Sequence, residues 1–74
     1  MIQTQKDDLF QIQVRVFRTF QLKWDLDFAE CSELFNKYDI YNYIETCYEI
    51  FHTQGDDASV ADIEKYLQNN GYKI

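Results

Sequence analysis

The chain has no proline, and its two glycines, Gly55 and Gly71, sit near the C-terminal end. Proline is the strongest helix breaker and glycine the usual residue at a helix C-terminus, so few positions exist where a helical chain would be forced to stop. With no linker-like or repetitive stretch in its 74 residues, the sequence reads as one domain spanning 1–74. A core of this size rarely supplies more than about 3–5 kcal/mol, so unusually good packing, a disulfide, a metal or a partner is expected to help.

The N-terminal third fits two templates. Phe10, Ile12, Val14 and Val16 alternate with Gln11, Gln13 and Arg15, the pattern of a half-buried strand. The alternation breaks at Phe17. Read at about 100° per residue, Leu9, Ile12, Val16, Phe20 and Trp24 share one side, with Phe10, Val14 and Phe17 beside them. Gln11, Arg15, Arg18 and Thr19 occupy the other. The helical template explains more residues and predicts a helix over 7–23. Its apolar arc is wider than the stripe of about 100° that a surface helix needs. Either other helices enclose it or one face is reserved for a partner.

Asp27 with Glu30 three residues on has capping-box spacing and predicts a second helix over 27–38, with Phe28, Cys31, Leu34, Phe35 and Tyr38 inward. Asp39 is placed to cap a third over 40–53, whose core side is Ile40, Tyr43, Ile44, Cys47, Ile50 and Phe51. Ser59 with Asp62 predicts the start of a fourth over 59–70, facing inward through Val60, Ile63, Tyr66 and Leu67. Asn70-Gly71 ends it. The expected fold is all-α, a compact bundle of four short helices.

Cys31 and Cys47 both fall at inward positions, as buried thiols or as one bridge. No N-terminal segment joins basic residues to a continuous apolar run, which predicts neither signal peptide nor membrane span and places the protein in the cytoplasm. The formal net charge of −6 is uneven. Lys6, Arg15, Arg18 and Lys23 against Asp7, Asp8 and Asp25 leave residues 1–26 at +1, so the remainder carries −7. Such a field repels phosphate backbones and argues against direct nucleic-acid binding. It suits a basic protein partner, or simply keeps a small domain soluble.

His52 is the single histidine and invites a catalytic or metal reading. Neither has support in the spacing: His52 forms no recognisable motif with Cys31 or Cys47, and paired metal-ligand spacings are absent. No cofactor and no metal are expected. As an architectural group, His52 would sit in the last turn of the third helix and satisfy free carbonyls. Thr53 and Gln54 would hydrogen-bond the loop, and Gly55 would take a positive φ. Asp56-Asp57 lacks the register of a calcium loop and reads as a solvated turn. Among the tyrosines, Tyr41 and Tyr48 are the better interface candidates, with Trp24 and the exposed Glu45 and Glu49 beside them.

The run Ile50-Phe51-His52-Thr53-Gln54-Gly55, followed by Val60, Asp62-Ile63, Tyr66-Leu67 and Asn70-Gly71, resembles a family of short bacterial proteins of unknown function. Its members share a Leu-His-Thr-Gln-Gly joint before a final helix; Phe51 here replaces the Leu. Leu34-Phe35 and Lys37-Tyr38 are similar too, and the resemblance runs from about Leu9 onward. Members are often encoded near a protein resembling an ADP-ribosyltransferase. The resemblance implies a non-enzymatic antitoxin-like partner of such a toxin. Two other classes stay open: a self-associating helical module dimerising through helix one, and a small metal or His/Cys enzyme.

Overall fold

The computed structural model describes the backbone of residues 3–73 and the side chains of residues 6–73. Five helices follow in order: α1 (Gln3–Lys23), α2 (Phe28–Lys37), α3 (Ile40–Thr46), α4 (Tyr48–Thr53) and α5 (Asp56–Asn69). The protein is all-helical across these residues, as its periodicity predicts, but with five helices where four are expected. At about 1.5 Å per residue α1 is roughly 31 Å long, close to the longest dimension of the molecule, 36 Å. It packs against each of the other four helices, most extensively α5. No described helix is long and apolar enough to cross a membrane.

The extra helix arises at Cys47. Its φ of −103° and ψ of 31° take one residue out of the helical path, ending α3 and starting α4. The carbonyl of Cys47 then accepts from both Ile50 N and Phe51 N, at 3.0 and 3.1 Å. This break re-aims the expected core stripe: Phe51 is buried, whereas Ile50 is exposed. It also brings Tyr48 and His52, one helical turn apart, to face α1.

Helix ends differ from expectation in three places. The Asp27–Glu30 capping box is present, with Glu30 N donating to Asp27 Oδ1 at 2.7 Å and Asp27 N to Glu30 Oε1 at 3.0 Å. Asp39, by contrast, makes no side-chain cap; it is left-handed at φ +54°, and its carbonyl accepts from Tyr43 N. Asp25 takes the same conformation after α1. Aspartate is among the few residues other than glycine that tolerate it. Ser59 does not begin the last helix. α5 starts at Asp56 with Gly55 as its cap, because Asp56 and Asp57 in the first turn complement the dipole a full turn earlier, and Ser59 is buried inside it. Gly55 is extended at φ −73° rather than positive. Gly71 does adopt φ +93°, and Tyr72 N closes the helix end on Leu67 O at 2.9 Å.

The core is aromatic at its centre. Phe35 contacts Phe17, Phe20 and Tyr41, with ring centroids 5.0, 5.5 and 5.2 Å away. A second group stacks Tyr43 on Tyr66 at 4.1 Å and sets Phe51 edge-on to Tyr43. Such pairs add about 0.5–1.5 kcal/mol each beyond simple burial, which is the packing help a chain this short needs. Cys31 and Cys47 are free thiols; Cys31 is fully buried and Cys47 half-buried. Phe28, expected inward, is 69 % exposed. α2 buries Cys31 and Phe35 and turns Phe28 towards α1.

Candidate functional site

α1 carries more apolar side chains than its packing can cover. Leu9, Ile12, Val16 and Phe20 are buried against the other helices, while Phe10 is 66 % and Val14 39 % exposed. These two stand beside Phe28 of α2 and Tyr41 of α3 and wall a groove of about 570 Å³, floored by Phe17 and rimmed by Gln13, Arg18 and Gln21. Phe17 packs the floor: its ring lies 5.4 Å from Phe28 and 6.4 Å from Tyr41. Gln13 Nε2 donates to Tyr41 O at 3.1 Å and fixes the α1–α3 wall. The residues lining the groove include one cation and no carboxylate.

The predicted interface residues do not converge on one patch. Tyr41 lines the groove, and burial raises the pKa of its hydroxyl above the ordinary value. Trp24 is engaged inside the fold: its ring stacks on Phe20 at 4.5 Å and Nε1 donates to Glu64 Oε2 at 2.8 Å. Lys23 Nζ lies 3.7 Å from the same carboxylate. This arrangement ties the end of α1 to α5. Tyr48 is half-buried and donates to Asp8 Oδ2 at 2.6 Å. Glu45 and Glu49 are exposed.

At the joint, His52 Nδ1 lies 2.6 Å from Asp8 Oδ2, so its partner is a carboxylate on α1 rather than the carbonyls of its own helix. Thr53 takes that task, donating through Oγ1 to Glu49 O at 3.1 Å and to Ile50 O at 3.2 Å. Gln54 Nε2 reaches Asp62 Oδ2 at 3.5 Å, linking the loop to α5. The Tyr48 hydroxyl, and after it the His52 charge, hold Asp8 below its usual carboxylate pKa, and the same bond raises Tyr48. Asp8 is half-buried, and nothing local to it in the sequence signals a contact with His52.

Burial pushes the Cys31 thiol up to about 11, and its Sγ faces Phe17 O at 3.9 Å, which places it in the core as a neutral group. Among the described residues no three His, Cys, Asp or Glu side chains converge where a metal ion would sit.

A family model described as "Protein of unknown function (DUF3791)" matches residues 11–70. The chain belongs to this family. The DUF3791 match takes in the joint at His52–Gly55 and the groove from Gln13 to Tyr41, while Asp8 and Phe10 lie N-terminal to it. No curated protein and no solved structure matches the chain.

Proposed function

We propose that this protein is a non-enzymatic binding module that docks another protein through the groove between α1, α2 and α3. The observation that carries the reading is the exposure of Phe10, Val14 and Phe28 around a buried aromatic floor. A lone exposed apolar side chain is ordinary, but three gathered around a cleft are the usual make-up of an interaction site. The joint at His52–Gly55 serves this reading indirectly, by aiming α5 and by holding α4 on α1.

The partner the resemblance points to is an ADP-ribosyltransferase-like toxin encoded nearby in bacteria, which this chain would neutralise in the cytoplasm as an antitoxin. Its acidity suits a basic toxin surface, with the exposed carboxylates Glu45 and Glu49 outside the groove adding long-range attraction. Coexpression with the neighbouring gene product tests it: a complex that survives gel filtration at micromolar concentration, and that Phe10→Asp dissociates, is the expected result. Separate elution of the two proteins defeats it.

Self-association through α1 is a second reading, favoured by the same exposed Phe10 and Val14. Sedimentation over a wide concentration range separates the two, since a strictly monomeric species removes the dimer.

A further inference from the structure

We infer that the groove receives one amphipathic helix of the partner, about three turns long, whose apolar ridge lies along α1 and whose carboxylate pairs with Arg18. The inference rests on the reading of the protein as a binding module and specifies what that module takes.

The shape of the site selects a helix. The described residues contain no strand, so no sheet edge is available for an extended peptide to join, and a groove between helices is filled by a helix. On α1 the groove lining is Phe10, Gln13, Val14, Phe17, Arg18 and Gln21, and within it Phe10, Val14, Phe17 and Gln21 follow one another in steps of four, three and four. That near-3.5 period is the one at which two helices keep a common seam over several turns. α1 therefore carries two ridges. One, through Leu9, Ile12, Val16 and Phe20, is filled by the protein's own core, and the other leaves Phe10 and Val14 exposed beside a buried Phe17. From Phe10 to Gln21 the second seam runs about 16 Å, or roughly three helical turns.

Charge selects what the helix must carry. In a chain of net charge −6, the groove lining holds Arg18 and no Asp or Glu. Two other α1 cations are already paired: Arg15 Nε with Asp56 Oδ1 at 3.5 Å, and Lys23 with Glu64. Among the described residues Arg18 has no carboxylate within ion-pair distance. A Glu or Asp flanking the incoming ridge completes it. A second copy of the chain is a poorer occupant: antiparallel pairing of two α1 seams centred on the groove, about an axis between Val14 and Phe17, would set Arg18 against Gln13. It also joins two chains of the same net charge.

The test titrates the isotope-labelled 74-residue protein with synthetic capped helical peptides of about 14 residues, observed through backbone amide shifts. All carry leucines at the seam spacing on an alanine–glutamine background, and the flanking positions are Glu, Gln or Lys. The expected result is saturable shifts at Phe10, Val14, Phe17, Phe28 and Tyr41. The Glu peptide should bind tighter than the Gln peptide by about two- to fivefold, the worth of a partly exposed ion pair. Arg18→Glu, an exposed substitution that leaves the core intact, should reverse the Glu–Lys order, and Phe10→Asp should abolish the shifts. Shifts confined to other surfaces, or a peptide order unmoved by Arg18→Glu, overturn the inference. So does a peptide-free dimer that Phe10→Asp dissolves. If peptides fail while the whole toxin still forms a Phe10-dependent complex, the binding-module reading stands and the helix is overturned.

Discussion

Asp8 Oδ2 accepts from His52 Nδ1 and from the Tyr48 hydroxyl at the same distance, 2.6 Å. One carboxylate on α1 thus clasps two side chains one turn apart on α4, whose rings stack at 5.4 Å. α4 has six residues, far below the length at which a helix is stable alone. Its position depends on this clasp and on the burial of Phe51.

The clasp gives stability a defined pH dependence. Asp8 is held below its ordinary 3.8, with the Tyr48 hydrogen bond the largest cause. Its contribution is complete above the unfolded value and is lost as pH falls through the lower folded value. Tyr48 is raised above 10.0, so its contribution is complete below that value and is lost as pH rises through the folded one. Asp8→Asn should flatten both limbs in urea unfolding measured across pH. His52→Ala should leave most of the acid limb in place, because Tyr48 still donates. Superimposable profiles for Asp8→Asn and the unsubstituted protein would contradict this.

Phe35 and Phe10 should respond oppositely to truncation. Phe35 is fully buried at the meeting point of α1, α2 and α3, and Phe35→Ala is expected to cost about 3–5 kcal/mol. In so small a chain that approaches complete unfolding at room temperature. Phe10→Ala should change stability by no more than about 0.5 kcal/mol while weakening partner binding. Urea midpoints by circular dichroism, alongside the complex assay, distinguish them.

The two glycines should also part ways. Gly55 is extended, and a Cβ there would meet nothing within 4 Å. Gly55→Ala is therefore expected to change stability by less than about 1 kcal/mol, since the entropy removed from the unfolded chain is offset by alanine being a poorer N-cap than glycine. Gly71 sits at φ +93°, so Gly71→Ala should destabilise by about 1 kcal/mol. Thermal melts of the two variants would refute the assignment if their order were reversed.

Loss of the α2 cap is a fourth stability test. Asp27→Ala removes the acceptor for Glu30 N and leaves an orphan donor, at an expected cost of about 0.5–2 kcal/mol. Ser59→Ala should show no cap effect, since Ser59 lies inside α5. A fall in denaturation midpoint for Ser59→Ala with no fall for Asp27→Ala would place the caps wrongly.

These contrasts mark which features the residues signal locally. The capping box at Asp27 and Glu30 is legible because both halves lie within one turn. Ser59–Asp62 has similar spacing but is superseded by Gly55 and two acidic residues a turn earlier. Left-handed Asp25 and Asp39, and the break at Cys47, depend on where neighbouring helices must go, which no window of sequence contains. The wide apolar arc of α1 is legible, and the structure divides it: Leu9, Ile12, Val16, Phe17 and Phe20 are enclosed by other helices, while Phe10 and Val14 stay exposed. Which side chains line the groove was not legible, because that depends on α2 turning Phe28 outward and α3 bringing Tyr41 alongside. Asp8 and His52 meet only through the tertiary fold, so the clasp escapes pattern reading altogether.

The walls of the groove belong to three separate helices, so the cleft exists only while those helices stay docked. Whatever occupies it binds the native chain and not the unfolded one. By mass action, an occupant at a hundred times its dissociation constant adds about 2.7 kcal/mol to the folded state, a large increment for a chain this short. Cellular lifetime would then track occupancy: the filled protein resists proteolysis, and the empty one turns over.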